Sequence, residues 1–200
     1  MITKKTTIIL MIVSLIIISA KAIKATGNAS LYAIFQYALG KTFKYLNPTQ
    51  THSVIFILNA FDEFGDSDNN KLAYILATAW HESKFISQPE IRCKPGTVCY
   101  DRQEKYWYTG FYGRGLPQIT HKANYEKFGK LFKVDLVNNP DLALEPELSA
   151  KILVYGMMKG SFTGVNLERY INSSKQDFYN ARRTVNVLDQ AELISLYTLN

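Results

Sequence analysis

Histidine and cysteine are scarce in this chain of 200 residues, three and two respectively, and each scarcity closes off a chemistry. His52, His81 and His121 show no metal-ligand spacing, so zinc-assisted hydrolysis is not expected, and no metal or other cofactor is implied. Cys93 and Cys99 do not form the C-x-x-C pair of a redox or zinc site. The glycine-rich Gly113-Arg114-Gly115-Leu116-Pro117 lacks both the Lys-Ser/Thr of a phosphate loop and the three-glycine spacing of a dinucleotide site, which excludes nucleotide binding. Asp66-x-Asp68-x-Asn70 has calcium-loop spacing, but Lys71 stands where that loop needs glycine and Ala77 where it needs glutamate. No internal repeat or linker divides the chain. No block of like charge is present, and the formal charge of +6 falls by three, to +3, once Lys4, Lys5 and Lys21 of the leader are set aside. That balance gives no reason to expect a nucleic-acid partner.

What is present begins with a leader. Lys4 and Lys5 precede an apolar run from Ile8 to Ile18, and Ser19-Ala20-Lys21-Ala22 supplies small residues at a cleavage site, so residues 1–22 read as a signal peptide. Retained rather than cleaved, the same run is the one expected membrane contact. Residues 23–30 form a short polar leader, and 31–200 read as one domain, expected to be a secreted or periplasmic monomer. In an exported protein Cys93 and Cys99 suit a disulfide around Lys94-Pro95-Gly96-Thr97.

The domain is patterned for helices. Leu31, Ile34, Phe35, Ala38 and Leu39 recur at helical spacing, and a second helix runs from about Thr49 through Val54, Leu58 and Phe61 to Gly65. Leu72, Ile75, Leu76 and Ala79 form one face of a third, and Glu82 follows on the same face. A carboxylate leaving a buried stripe is either a paired structural charge or a proton donor near neutrality. The Asn-rich loop before that helix reads as its cap. From Ser83 to Gly115 the helical period is lost among Tyr100, Tyr106, Trp107, Tyr108, Phe111 and Tyr112. This stretch predicts a hairpin or irregular β region, with ring faces such as those of Trp107 and Tyr112 able to stack on sugars or to fill a small core. Further helices are expected over about 123–132, from Pro146 to Gly160 with a Leu148, Ile152, Tyr155 stripe, and from Phe178 to Val187. Asn172-Ser173-Ser174 breaks the chain before the last of these, and Asp189 is expected to cap a final helix.

Ala79-Trp80-His81-Glu82-Ser83, then Tyr112-Gly113-Arg114-Gly115-Leu116-Pro117-Gln118-Ile119-Thr120, then Asn124-Tyr125 and Val134-Asp135-Leu136-Val137-Asn138-Asn139-Pro140-Asp141 resemble glycoside hydrolase family 19. The likeness covers roughly Phe61 to Asp189. It implies a mainly α (α+β), lysozyme-like, two-lobed fold with a small β-hairpin beside the cleft. It also implies inverting hydrolysis of β-1,4 links beside N-acetylated sugars. Inversion needs a carboxylic acid at the leaving oxygen and a second carboxylate roughly 6.5–9.5 Å away to activate water. By the resemblance Glu82 is the acid, Thr120 helps hold the water and Asn124 binds sugar. Gln118 and Tyr125 line the cleft, while Asn172 and Arg183 orient substrate or the second carboxylate. Arg114 reads as a structural donor to a buried carboxylate. The second carboxylate is Glu90 by position, with Glu104 and Asp101 as alternatives.

The function expected is an exported glycosidase acting on N-acetylglucosamine-containing wall polysaccharide. Peptidoglycan is favoured for the compact form, chitin is the alternative substrate, and an impaired wall-glycan-binding or inhibitory protein is an alternative of another class.

Overall fold

The computed structural model describes residues 46–199. The expected signal peptide, the polar leader and the helix around Leu31–Leu39 lie outside the described residues.

Helix α1 spans Pro48–Phe64. Asn47 caps it in a reciprocal box: its side chain accepts the Gln50 amide proton, and the Gln50 side chain accepts that of Asn47, each at 2.9 Å. Proline at the first helical position suits this start. Helix α2, Asn69–Ser83, is capped by Asp68, whose carboxylate accepts the backbone protons of Asn70 and Lys71. The Asn-rich loop therefore does cap the helix that carries Glu82. Lys71, the residue that spoils the calcium spacing, is buried and bridges Asp66 and Glu168. Burial opposes ionisation of Asp66, but the Lys71 ammonium together with backbone N–H donors outweighs it and holds the carboxyl below its ordinary range.

The chain leaves α2 through two consecutive left-handed residues, Lys84 (φ 51°) and Phe85 (φ 60°). Left-handed backbone is unfavourable for residues with a Cβ. Here burial of the Phe85 ring against Trp80, at 5.5 Å between centroids, secures the turn.

The expected hairpin or irregular β region between Ser83 and Gly115 is mostly a short helix, α3 (Val98–Glu104), and a 3-10 turn at Trp107–Thr109, with its β pairing limited to isolated antiparallel bridges of Arg114 with Pro89 and Ile119. Thr97 caps α3 by accepting the Tyr100 amide proton, and a Cys93–Cys99 disulfide ties its first turn to the segment before it. A local cap and a covalent staple decide the conformation here more than aromatic density does. The hairpin forms later, where β1 (Ile171–Asn172) pairs antiparallel with β2 (Lys175–Gln176) across the stretch expected only to break the chain.

Helix α4 spans Lys122–Phe132 and α5 spans Pro146–Lys159, ending at Gly160 as its sequence predicts. The helix expected over 178–187 is shorter: α6 covers Phe178–Ala181 and tightens into a 3-10 turn over Arg182–Thr184. The last helix, α7, is Ala191–Leu199. Asp189 does not cap it; the Gln190 carbonyl accepts from Ile194, while that of Asp189 accepts from Arg182.

Two apolar cores share α5. The larger gathers α1, α2, α6 and α7 around Ile57, Leu72, Ile75, Leu153, Met157 and Ile194. The smaller holds Ile119, Tyr125, Phe128, Leu136, Ala143 and Ile152. Ile152 points into the second core while Leu153 and Met157 point into the first, and Phe162 packs against both. The fold is mainly helical, as the sequence implies.

Candidate functional site

Glu82 sits in the last turn of α2 with its side chain 19% exposed. The apolar face that delivers it is fully packed, with Ile75, Leu76 and Ala79 at 0–1% exposure. Its Oε1 accepts a hydrogen bond of 2.6 Å from Nη1 of Arg182, a residue 100 positions later that is itself buried. The Arg182 Nε is spent on the Asp189 carbonyl at 2.8 Å. One carboxylate oxygen is thus locked, and among the described residues none donates to Oε2. Burial holds His81 below the usual histidine range; the neighbouring Glu82 carboxylate opposes this and Arg182 adds to it.

Arg183, the arginine singled out in the sequence, does not reach Glu82. It is exposed, bonds weakly to Asn180 at 3.4 Å, and its carbonyl accepts from Thr163. The neighbouring Arg182 is turned inward because it continues the buried face of Phe178 and Ala181. That i, i+3, i+4 spacing was the signal in the sequence that distinguished the two arginines.

Glu90 lies in the extended segment after α2. Its backbone N–H donates to the Gly113 carbonyl at 2.7 Å, and the Gly113 N–H donates back to its Oε2 at 3.0 Å. Oε1 accepts from Gln103 Nε2 at 2.9 Å and from the Tyr106 hydroxyl at 2.8 Å. Glycine at 113 lets this latch close tightly, since a Cβ there would lie 2.9 Å from Gln118 Oε1 and 3.1 Å from Glu90 Oε2 and push both side chains aside. Burial, and then the adjacent Glu90 charge, push the Tyr106 hydroxyl well above its ordinary range, so it remains a donor.

The two other acids are placed differently. Glu104 pairs with Arg92 on the exposed side of α3, and Asp101 is an exposed first-turn residue of the same helix. Neither carries the donor set that surrounds Glu90.

The rings expected to receive sugar are already stacked. Trp107 lies parallel to Tyr112 with centroids 4.5 Å apart, and the Arg92 guanidinium stands 4.6 Å from the Trp107 ring. With Tyr112 against one face, that cation has to occupy the other. Tyr112 is likewise covered, by Trp107 on one side and by Arg114 at 3.9 Å on the other. Neither residue presents a free face to a pyranose. Tyr108, which the sequence did not single out as a binding residue, is 76% exposed.

Tyr125 is a correction of the same kind. It is fully buried, donates to the Tyr112 carbonyl at 2.7 Å and accepts from Arg114, so it supports the wall without touching a ligand. Burial pushes its hydroxyl up to about 12 despite the Arg114 charge. Arg114 is a structural donor as read, but the carboxylate it holds, that of Asp141, is exposed; the buried partner is the arginine.

Gln118 donates to the carbonyls of Gln88 and Gly115, lacing the Glu90 segment to the glycine turn. Gly115 itself needs its positive φ of 79°, and a Cβ there would meet the Ser149 hydroxyl at 2.5 Å. Thr120 follows that turn half-exposed, and its carbonyl accepts from Asn124 Nδ2 at 2.8 Å. Asn172 uses its amide inside the hairpin, donating to the Glu168 carbonyl and accepting from Ser174, which makes it a shaper of that turn.

The arrangement offers two carboxylates on consecutive segments. One is fixed by a buried cation with an oxygen left over, the other cradled by neutral donors next to a hydroxyl-bearing turn. Residues 58–174 match the family model described as chitinase class I, glycoside hydrolase family 19. The chain is similar to the acidic endochitinase of Petunia hybrida, 41% identical over 106 residues that cover 50% of this chain and 42% of that protein. It is also similar to the acidic 26 kDa endochitinase of Solanum lycopersicum, 47% identical over 108 residues covering 50% and 41%. The chain therefore matches about two-fifths of the length of these plant relatives. In fold it is similar to chitinase C from Streptomyces griseus, with a TM-score of 0.55 at 16% identity, covering 82% of this chain and 72% of that one.

Proposed function

The chain belongs to glycoside hydrolase family 19, the class I chitinase family, and from that premise we propose that it hydrolyses β-1,4 links in chitin with inversion at the anomeric carbon. The single observation that carries the reading is the pair of differently held carboxylates, Glu82 on Arg182 and Glu90 on Gln103, Tyr106 and Gly113. Both fall inside the matched residues.

In this reading Glu82 keeps Oε1 on Arg182 and gives the proton on Oε2 to the glycosidic oxygen as the bond from C1 breaks. Water between Glu90 and Thr120 attacks C1 from the opposite side and loses its proton to the Glu90 carboxylate. Exchange with solvent returns each carboxyl to its starting state. Asn124, held by Thr120, contributes an amide to the sugar. Glu104 and Asp101 take no part.

The sequence alone favours peptidoglycan. The names of the plant relatives favour the chitin alternative instead, and chitin is the substrate proposed. Export to an oxidising compartment belongs to the same reading, supported by the Cys93–Cys99 disulfide.

The test is to incubate purified protein with N-acetylglucosamine oligomers and with peptidoglycan sacculi, following products by mass and by proton NMR of the new reducing end. The α-anomer released from chitin oligomers supports the proposal. Release from sacculi alone overturns the substrate, and initial formation of the β-anomer overturns the mechanism.

A further inference from the structure

Helix α3 is the most locally determined element near the site, and nothing in the reaction as described uses it. It carries Gln103, which is 2% exposed although it is a polar residue on a seven-residue helix. A buried primary amide with all its hydrogen bonds made fixes whatever it touches. The Gln103 Oε1 accepts from the Cys93 backbone at 2.7 Å, and its Nε2 donates both to the Ile91 carbonyl at 2.8 Å and to Glu90 Oε1 at 2.9 Å. One side chain thereby grips three of the four residues from 90 to 93. The disulfide between Cys93 and Cys99 ties the end of that segment covalently to the first turn of α3. Just beyond the helix, Tyr106 adds a second donor to Glu90 Oε1, and its ring is braced edge-on by His121 at 5.4 Å.

We propose that Gln103 and Tyr106 are positioning residues for the second carboxylate: from the disulfide-stapled α3 lobe they hold Glu90 Oε1 fixed, leaving Oε2 to receive the proton of the attacking water. The inference rests on Glu90 being that carboxylate. Two neutral donors orient one oxygen without the competing charge that a lysine or arginine would bring to the water. The remaining oxygen has one backbone donor, from Gly113, and keeps lone-pair capacity for the water. The charged and titratable groups around this cradle are few. Arg92 is two residues away and neutralised by Glu104, Tyr106 is a donor, and His121 touches Tyr106 and not Glu90. None of them supplies an ion pair to Glu90, so the neutral donors carry the task.

Tyr106→Phe removes one donor and keeps the ring against His121; Gln103→Asn withdraws the other donor and serves as the second variant. With chitin oligomers, kcat is expected to fall about tenfold for either variant, the size of effect that a misplaced catalytic group produces, while KM stays within about twofold. The fall in kcat/KM is expected to match the fall in kcat, the signature of an interaction that matters only at the transition state. An activity-independent reading comes from the 13C resonance of the Glu90 carboxyl at one fixed pH, whose chemical shift is expected to change in both variants as Oε1 loses a donor, with a melting curve confirming the fold. An unchanged kcat and an unchanged Glu90 resonance, in a background where Glu90→Gln abolishes turnover, overturn the positioning role and leave the assignment of Glu90 standing. Full turnover by Glu90→Gln overturns that assignment and this inference with it.

Discussion

Glu82 and Glu90 stand eight residues apart in sequence and are held by opposite means. Glu82 depends on a buried cation delivered from 100 residues away, on a turn that exists only when α6 has packed against the large core. Glu90 depends on neutral donors 13, 16 and 23 residues away, beside a Cys93–Cys99 disulfide that joins the segment after Glu90 to α3. The first arrangement ties the carboxylate to the global fold. The second ties it to nearby residues of the α3 lobe, which can be adjusted without disturbing the main core. A hydrolase that must present a proton at one carboxyl and accept one at the other gains from this separation, because the two environments respond to different parts of the chain.

The contrast is broken most severely at Glu90. Glu90→Gln is expected to reduce turnover of chitin oligomers by about 10²–10⁴-fold, the contribution of a general base, whereas Glu104→Gln, which removes an exposed ion pair, is expected to stay within about threefold. Steady-state kcat for the two variants side by side checks this. Next in size is Arg182→Leu. Stranding the partly exposed Glu82 beside a buried leucine is expected to cost about 3 kcal/mol, the low end for breaking a buried pair, which lowers the melting temperature by about 6–12 °C. Glu90 variants are expected to melt close to the parent, so calorimetry distinguishes the global anchor from the local one. Gly113→Ala probes the latch alone: the added Cβ pushes on Glu90 and Gln118, and kcat is expected to drop about tenfold with a far smaller change in melting temperature than Arg182→Leu. The smallest effect belongs to Tyr74→Phe. The Tyr74 hydroxyl is buried near Arg182 and Glu82 without a hydrogen-bond partner among the described residues, so removing it is expected to leave stability unchanged or raise it by up to about 1 kcal/mol, measured by urea denaturation.

The two regions also differ in how far the sequence discloses them. The helix that carries Glu82 is announced by its period and by its Asp68 cap, because burial of one face fixes both. The arginine that completes it is harder to recognise: Arg182 and Arg183 are adjacent, and only the continuation of the Phe178, Ala181 face separates the inward one from the outward one. At Glu90 the donors are a glutamine, a tyrosine and a backbone N–H, residue types that carry no pattern of their own. The lobe that holds them looks aromatic enough for β structure, yet a threonine cap and a disulfide make it helical. The ring faces of Trp107 and Tyr112 mislead for a related reason, since composition does not reveal that two arginines have already covered them.

The sandwich of Trp107 between Tyr112 and Arg92 has an optical consequence. The full chain contains two tryptophans, Trp80 packed against the large core and Trp107 in the α3 lobe. Their indoles sit in unlike surroundings, one against the Phe85 ring and one between a phenol and a guanidinium. Emission recorded from Trp107→Phe isolates Trp80, and the difference from the parent spectrum isolates Trp107. The molecule thus carries one intrinsic fluorophore for each of the two carboxylate environments, which allows loosening of the α3 lobe to be followed separately from melting of the core without attaching a label.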